Sequence, residues 1–327
     1  MNKTITDYLT AVEFGEVQQF KNMAVIPLFS KTNGGLNYLA MKEALDKSLL
    51  TVKEIDKDGS VPELKVKNKG KIPIFLLDGE ELVGAKQNRV LNTSILLKAK
   101  CETIIPVSCT EQGRWSYTSD EFHDSGLVMS NKARKLKLRS VAKSLKSSMD
   151  FSADQSEVWD GIEELSEDAE VQSPTNSMKD VFESKKEDID NYLKALPCLP
   201  SQKGIMVFVN GKVEGFDVVS LSSAYKNIHP KLLKSYAIDS ILDKNGKNNL
   251  SIDKAKNFIK KAIKCRGKKY DSKGIGLDYR FETNKLVGSS LVYSEKVIHA
   301  AFFSMTESDK TGRISSLKRR KKHRIYE

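Results

Sequence analysis

The chain has 327 residues, 39% of them hydrophobic, and a formal net charge of +11, so it can bury a core as one large or two modest domains and is not a disordered protein. No window approaches eighteen uninterrupted apolar residues, so neither a membrane span nor a signal peptide is predicted, and we expect a cytoplasmic location. Four scattered cysteines without a CxxC pair exclude a disulfide framework and indicate reduced thiols.

The first 130 residues are predicted to form mainly short strands. Residues 23–30 have the pattern of a strand and residues 34–50 that of an amphipathic helix, and a turn follows at 56–60. Two strands around a turn are predicted within 71–86, and further strands follow at 89–97 and 102–109. Because the connections are short, we expect antiparallel pairing.

Residues 131–196 change character, because lysine, serine and acidic residues dominate and glycine is nearly absent. Helical periodicity predicts three helices, at 131–147, 154–170 and 176–195. We interpret this segment as a helical insert.

The net positive charge comes from two segments, because residues 131–146 hold seven Lys or Arg and residues 318–324 hold six. Without those thirteen, 41 basic residues face 43 acidic ones. The first segment precedes an acidic stretch, so its charges are either solvated, paired with those acids, or used on a polyanion. The second segment is predicted to be a flexible basic tail.

After residue 197 the pattern returns to strands. Asn210-Gly211 between two apolar runs predicts a hairpin over 204–219, and Ser294-Glu295 separates the strands of another over 285–303. Helices are predicted at 229–242, beginning at His229, and at 251–263. The fold class is therefore α+β, with an antiparallel β-sheet-rich core, a helical insert and C-terminal helices.

Four regions follow from these patterns. They are a β-rich N-terminal half of the core with the candidate site (1–130), the helical insert (131–196), the C-terminal half of the core (197–306) and the basic tail (307–327).

Polar side chains concentrate at two strand ends, in LDGEELVGAKQNR (77–89) and VSCTEQGRWSY (107–117). If the strands between them are antiparallel neighbours, both stretches reach one edge of a sheet. The candidate residues are Glu80, Cys109 and Glu111 for catalysis and Lys86, Gln87, Asn88, Arg89, Arg114 and Trp115 for ligand binding.

These residue types suit a nucleotide-like ligand. Arg89 and Arg114 could bind phosphate oxygens, Trp115 could stack on a base, and Glu80 or Glu111 could hold ribose hydroxyls or move a proton. The alternatives are Glu–Arg pairing beside a turn and a core role for the tryptophan.

Cys109 is either an activated nucleophile, with His123 or His299 as a base, or a small buried residue at a strand end. His299 itself alternates with apolar residues, which is typical of a hydrogen-bonded core histidine. A Gly-x-Gly turn at 273–282, with Asp278 and Arg280, is either a turn into a strand or an anion-binding turn.

No spacing of cysteines or histidines indicates zinc, and no phosphate-loop signature is present. We therefore predict no metal site from spacing. The cofactor is open, with magnesium as the candidate that clustered carboxylates and a phosphate ligand could recruit.

With LLDGEELVGAKQNRVLNTSILL, IPVSCTEQGRW and the later LVGSS…VIHAAFF in order, the chain resembles the ARG and rhodanese-phosphatase-superfamily-associated protein domain family from about residue 20 to 305. That family is named for its genomic association with ADP-ribosylglycohydrolases and phosphatases, and the resemblance implies a link to NAD and ADP-ribose metabolism. By matching positions it implies site residues within Glu80–Arg89 and Cys109–Trp115.

Three functions compete. The first is binding, with hydrolysis or transfer as an open extension, of ADP-ribose or another NAD-derived nucleotide. The second is a nucleic-acid-associated protein of phage or antiphage biology that uses its basic segments. The third is a scaffold or inhibitor subunit without catalysis, whose helical insert contacts a protein partner.

Overall fold

The structure, a computed structural model, describes residues 1–31, 36–56, 61–243 and 250–310. Its first strands are β1 (Glu13–Phe14), β2 (Gln18–Phe20), β3 (Met23–Phe29), β4 (Leu39–Ala40), β5 (Leu50–Lys53), β6 (Glu63–Asn68), β7 (Ile74–Leu76), β8 (Glu80–Gly84), β9 (Arg89–Leu91), β10 (Ile95–Leu97), β11 (Cys101–Cys109) and β12 (Phe122–Val128). The later strands are β13 (Gly204–Val209), β14 (Lys212–Val219), β15 (Gly267–Asp271), β16 (Leu277–Thr283), β17 (Leu286–Tyr293) and β18 (Lys296–Ser304). The helices are α1 (Lys3–Thr10), α2 (Met41–Asp46), α3 (Asn131–Ser147), α4 (Gln155–Asp168), α5 (Met178–Ser184), α6 (Lys186–Ala195), α7 (Ser222–Leu242), α8 (Ile252–Lys264) and α9 (Glu307–Lys310).

Across the described residues, the strands form three sheets, and this mixture of helices with antiparallel sheets confirms the predicted α+β class. The largest has the order β1-β3-β13-β14-β18-β17-β16-β15, with β2 also on β3. The second has the order β12-β8-β9-β11-β6-β5, and the third is β10-β7-β4. Neighbours are antiparallel except β4 and β7, which are parallel.

The largest sheet is covered by helices on both faces, which explains why its central strands are apolar without alternation. In β13, Met206 and Phe208 belong to the core shared with α1 and α8, whereas Ile205 and Val207 belong to the core shared with α7. All four are completely buried. Each such side chain contributes roughly 1.5–3 kcal/mol of hydrophobic free energy.

Both predicted hairpins are confirmed. Asn210 and Gly211 have φ of 51° and 72°, the left-handed conformation that a two-residue type I′ turn requires. Ser294 and Glu295, with φ of 47° and 58°, form the corresponding turn between β17 and β18.

The helix predicted for 34–50 is wrong in extent. Residues 39–40 form β4, the helix covers Met41–Asp46, and β5 begins at Leu50. The helix cannot continue through Ser48, because its φ is +56°. The residues before Met41 are extended instead of helical, because β4 pairs with β7. Residues 32–35, and residues 57–60 of the predicted turn, lie outside the described residues.

The predicted start of a helix at His229 is also wrong, because α7 begins at Ser222 and contains Pro230 in its interior. Proline normally breaks a helix, but α7 is buried along most of its length, and that packing offsets the missing backbone donor. His229 is hydrogen-bonded to the Tyr225 hydroxyl at 2.9 Å and to the Leu196 carbonyl at 3.1 Å.

No described helix is both long enough and apolar enough to span a bilayer.

The segment 131–196 is helical, as predicted, although its third predicted helix is divided into α5 and α6 at Lys185. Helix α3 packs on β16, β17 and α7, so it is part of the core. All seven basic side chains of 131–146 lie 3.7 Å or less from at least one carboxylate. Only Lys132 and Lys143 pair with the acidic stretch that follows, and the other five pair with carboxylates elsewhere in the chain. The structure therefore favours charge pairing over a solvated basic face, but mostly with other partners than those expected.

Candidate functional site

The antiparallel pairing of β9 with β11 brings the two polar stretches together. Arg89 lies opposite Cys109 in the register, and Leu91 lies opposite Val107. The residues before Arg89 and those after Cys109 therefore leave the sheet at the same edge. This is the juxtaposition that the sequence predicts.

Arg89 is the buried centre of this edge, with a side chain that is 0% exposed. Its Nη1 donates to Gln87 Oε1 at 2.8 Å and to Cys109 Sγ at 2.9 Å, and its Nη2 lies 3.8 Å from Glu54 Oε1. Its Nε and Nη2 have no hydrogen-bond partner of ordinary geometry among the described residues. A buried donor without an acceptor costs roughly 1–3 kcal/mol, so these two nitrogens lower the stability of the edge while the guanidinium keeps its positive charge there.

The Trp115 ring lies over Arg89, and Lys86 lies near the rings of both Trp115 and Tyr117. The Trp115 ring lies 5.7 Å from Arg89 Cζ, and Lys86 Nζ lies 5.3 Å from the rings of both Trp115 and Tyr117. Trp115 and Tyr117 are 49% and 50% exposed. We call Lys86, Trp115 and Tyr117 the aromatic platform. Sequence reasoning missed Tyr117, although its spacing of two from Trp115 in an exposed loop was a usable signal.

Arg114 holds the loop between β11 and β12 in place. Its Nε donates to Glu111 Oε2 at 2.8 Å, its Nη1 to the Ala85 carbonyl at 2.8 Å and its Nη2 to Asn88 Oδ1 at 3.0 Å. Glu111 Oε1 also accepts from Thr175 Oγ1 at 3.0 Å. Glu111 and Arg114 therefore pair with each other and support the loop. This agrees with the alternative that a glutamate and an arginine pair beside a turn.

The segment between α4 and α5 packs against the loop between β11 and β12 and is hydrogen-bonded to it. The Gly113 amide donates to the Thr175 carbonyl at 2.9 Å, and the Met178 amide donates to the Thr110 carbonyl at 3.0 Å. A Cβ on Gly113 would stand 2.9 Å from Thr175 Cα, so only glycine allows this close approach. The helical segment therefore forms one wall of the candidate site.

Cys109 is 1% exposed, and its backbone amide and carbonyl are both hydrogen-bonded to the Gln155 side chain at the start of α4. Burial raises the pKa of the Cys109 thiol, outweighing the lowering effect of Arg89. Neither His123 nor His299 hydrogen-bonds to its sulfur in the described structure. These observations favour the small buried residue over the activated nucleophile.

Glu80 lies apart from the cluster, contrary to its predicted position. Its Oε1 accepts from Lys231 Nζ at 2.7 Å, and the same ammonium donates to Asp124 Oδ1 at 2.5 Å. Side chains alternate along β8, so the neighbouring Glu81 points the other way and accepts from Thr110 Oγ1 at 2.7 Å. The alternation of side chains along a strand could have shown, from the sequence alone, that these two adjacent glutamates face opposite sides of the sheet.

Burial raises the pKa of Glu81 to about 7, against the lowering effect of the Thr110 hydrogen bond. Its Oε2 has no hydrogen-bond partner of ordinary geometry among the described residues. Glu81 is therefore largely protonated in mildly acidic solution and ionises near neutrality.

A second buried network, which sequence reasoning missed, joins α3 to the largest sheet. Arg134 donates from Nη1 and Nη2 to the two carboxylate oxygens of Asp217, at 3.0 and 2.7 Å, and Lys137 donates to Asp78. Burial opposes ionisation of Asp217, but Arg134 lowers its pKa to about 2. His299 lies 3.3 Å from Asp217 Oδ1, which confirms that it is a hydrogen-bonded core residue.

Asp278 and Arg280, in the turn predicted at 273–282, are also buried. Arg280 donates to Asp278 at 2.6 Å and to Thr93 Oγ1 at 2.6 Å, and all three residues are buried. These contacts favour a structural role over an anion-binding turn. Among the described residues, no group of three or more His, Cys, Asp or Glu is arranged to hold a metal ion.

The sequence model of the ARG and Rhodanese-Phosphatase-superfamily-associated Protein domain matches residues 11–303. That match spans most of the chain and includes both polar stretches of the candidate site. No curated protein and no solved structure matches the chain.

Proposed function

The chain belongs to the ARG and Rhodanese-Phosphatase-superfamily-associated Protein domain family, and we propose that it binds an ADP-ribose-like nucleotide on the aromatic platform. The base stacks on Trp115 or Tyr117, and the diphosphate lies toward Lys86 and Arg89. The family's implied association with ADP-ribosylglycohydrolases supports the choice of ADP-ribose among nucleotides.

One observation carries the proposal, namely two half-exposed aromatic rings that flank a lysine. Lys86 Nζ lies 5.3 Å from each ring centroid, which joins a stacking surface to a positive charge within the reach of one nucleotide. Stacking of a base on an aromatic side chain contributes roughly 1–3 kcal/mol.

Arg89 adds to the positive potential beneath the platform. Its guanidinium has two nitrogens without a hydrogen-bond partner among the described residues and lies directly against the Trp115 ring. A diphosphate near that ring would be attracted by both cations, but only Lys86 could donate a charge-assisted hydrogen bond to it, because Arg89 is completely buried and lies 3.8 Å from Glu54.

Binding is supported better than catalysis. Glu111 is held by Arg114 and Thr175, and Cys109 has a raised pKa, so neither group is set up as a base or nucleophile in this arrangement. Hydrolysis or transfer would require Glu111 to exchange its contact with Arg114 for a water molecule.

The chain has two tryptophans, Trp115 and Trp159, which allows a direct test. In Trp159→Phe the emission reports on Trp115 alone, and we expect ADP-ribose to quench it saturably, with and without magnesium. In the matched variant Trp115→Phe, where only Trp159 emits, we expect no change. Equal quenching in both variants, or none in either, would refute the proposal.

Lys86→Gln separates the phosphate contribution from stacking. We expect it to weaken ADP-ribose binding about tenfold while adenosine binding stays within about twofold, because only the diphosphate meets the lysine. Melting temperatures of all variants verify that the fold is retained.

Of the two basic segments on which the nucleic-acid alternative was based, the structure pairs the first with carboxylates, so the test turns to the second. All seven basic side chains of 131–146 are paired with carboxylates, and residues 318–324 lie outside the described residues. A steep fall of DNA affinity with salt, flattened by replacing the six basic tail residues with glutamine, would favour this alternative.

A further inference from the structure

Helix α8 and strand β15 form a strongly basic surface. Residues 251–271 hold eight Lys or Arg and two acidic residues, Asp253 and Asp271, and all ten are exposed. Buried apolar residues interrupt the basic ones along α8, so no continuous run of charge marks this surface in the sequence. The structure therefore reveals a concentration of positive charge outside residues 131–146 and 318–324.

The basic residues face solvent because α8 lies flat on the largest sheet. Phe258 of α8 packs edge-on against Phe216 of β14, with 6.0 Å between the ring centroids, and it shares a core with Phe281 of β16. Strand β15 follows α8 directly and lies at the end of the described strand order of that sheet. The outward side of α8 therefore adjoins an exposed sheet edge.

Six of the basic side chains are not paired with acids. No ion pair of 4.0 Å or less joins them to a carboxylate of a described residue. We call these six the basic face, and they are Lys256, Lys260, Lys261, Lys264, Lys268 and Lys269. At α2, by contrast, the exposed Lys42 and Lys47 each pair with an acidic residue four positions away, at 2.7 and 2.6 Å. The basic face is therefore uncompensated within the described part of the chain.

The spacing of the lysines on α8 costs stability in the free chain. Lys256, Lys260 and Lys264 follow one another at intervals of four residues, which places them side by side along the helix surface. Like charges at this spacing repel, whereas a solvated helix face usually alternates the sign of its charges. A polyanion bound along the helix would relieve this repulsion.

Local explanations account for only part of the basic face. The helix dipole favours Lys261 and Lys264, which lie in the last turn of α8. Lysines on an edge strand such as β15 prevent pairing with another sheet. Neither explanation applies to Lys256 and Lys260, which precede the last turn of the helix.

We propose that the basic face binds the phosphate backbone of a nucleic-acid duplex, without reading the base sequence. The helix rises about 12 Å between Lys256 and Lys264, and a duplex carries one phosphate charge per roughly 1.7 Å of its axis. The row of lysines therefore faces several phosphates at once. Each phosphate that a lysine neutralises releases a counterion, which favours binding.

The surroundings of the basic face favour a duplex over other polyanions. Phe258 and Tyr270, the aromatic residues of 251–271, are 7% and 8% exposed, so neither offers the stacking platform that single-strand binding normally uses. The apolar face of α8 is buried in the protein core, so the helix has no apolar side with which to enter a membrane surface. Phosphate contacts remain, and these carry no sequence information.

The test follows the fluorescence anisotropy of short labelled DNA and RNA duplexes of mixed sequence as the full-length chain is added at several salt concentrations. The parent in this test carries glutamine at the six basic positions of 318–324, so the tail makes no cationic contribution. We expect Lys256→Gln, Lys260→Gln, Lys261→Gln and Lys264→Gln, combined in one α8 variant, to weaken binding about tenfold or more. The slope of log affinity against log salt should fall by about 0.9 for each lysine that contacts a phosphate.

The matched control removes four lysines from another exposed surface, by Lys67→Gln, Lys69→Gln, Lys71→Gln and Lys98→Gln in the same parent. Its net charge equals that of the α8 variant, and it should bind like the parent. Melting curves show whether each variant is folded, and glutamine keeps a helix propensity close to that of lysine.

Binding of either duplex that depends on the α8 lysines supports the proposal, and the preferred duplex identifies the partner as DNA or RNA. Equal weakening by the two quadruple variants would show attraction by net charge alone and overturns it. Absence of duplex binding by the parent, or duplex binding that the α8 variant leaves unchanged, overturns it as well. Binding to phosphatidylserine vesicles in place of either duplex overturns it in favour of a membrane partner.

Discussion

Replacing Glu81 with glutamine should stabilise the protein in alkaline solution and remove much of its pH dependence. Glu81 is 0% exposed, and burial raises its pKa from 4.5 to about 7. A carboxylate with a raised folded-state pKa contributes stability that is complete below its unfolded-state pKa and is lost as the pH rises through the folded-state value. The loss therefore occurs between about pH 4.5 and pH 7.

The magnitude follows from the shift. Each pKa unit corresponds to about 1.4 kcal/mol, so the full loss is about 3 kcal/mol, of which about 2–3 kcal/mol falls between pH 5 and pH 8. Glutamine keeps an oxygen that can accept the hydrogen bond from Thr110 Oγ1 and cannot ionise. Glu81→Gln should accordingly match the parent near pH 5 and exceed it at pH 8.

Urea unfolding of both chains at pH 5, 6, 7 and 8 measures this difference directly. Other titrating groups, including Asp239, act on both chains equally and cancel in the comparison. Glu163→Gln, at an exposed position, should follow the parent at every pH. A constant difference between Glu81→Gln and the parent across this range would refute the assignment of a raised pKa to Glu81.

Lys231→Met should lower the free energy of unfolding by about 3–5 kcal/mol, because it leaves the buried Glu80 without its ammonium partner; adding Glu80→Gln should recover part of this loss in urea unfolding, and no recovery would contradict the pairing. Gly84→Ala should cost about 1–3 kcal/mol, since φ is +129° and the new Cβ would stand 2.5 Å from a serine oxygen, and an unchanged melting temperature would disprove this. Native Cys109 should react with iodoacetamide more than about tenfold more slowly than Cys101, because burial hides it and raises its pKa; comparable rates by mass spectrometry would contradict this prediction.

Sequence patterns with a local cause predicted much of the fold. Asn210-Gly211 specifies a turn through its own backbone preferences, and the apolar face of 251–263 matches α8 because helical periodicity resides within one segment. The convergence of the stretches around Arg89 and Cys109 was also predictable, since short connections between strands favour antiparallel neighbours.

Patterns that depend on a distant neighbour were not predictable. Lysine and arginine spaced along 131–146 look like a solvated face, and only packing against the largest sheet decides that Arg134 and Lys137 are buried beside Asp217 and Asp78. Likewise, the burial of α7 lets Pro230 stay inside a helix.

The sequence by itself determined the α+β class, the hairpins and the edge where polar groups gather, because turn and periodicity preferences act within a few residues. Tertiary structure alone decided that Glu80 pairs with Lys231 while Glu81 faces Thr110. The physical reason is that the energy of a buried charge is set by partners far away in the chain, which no local pattern specifies.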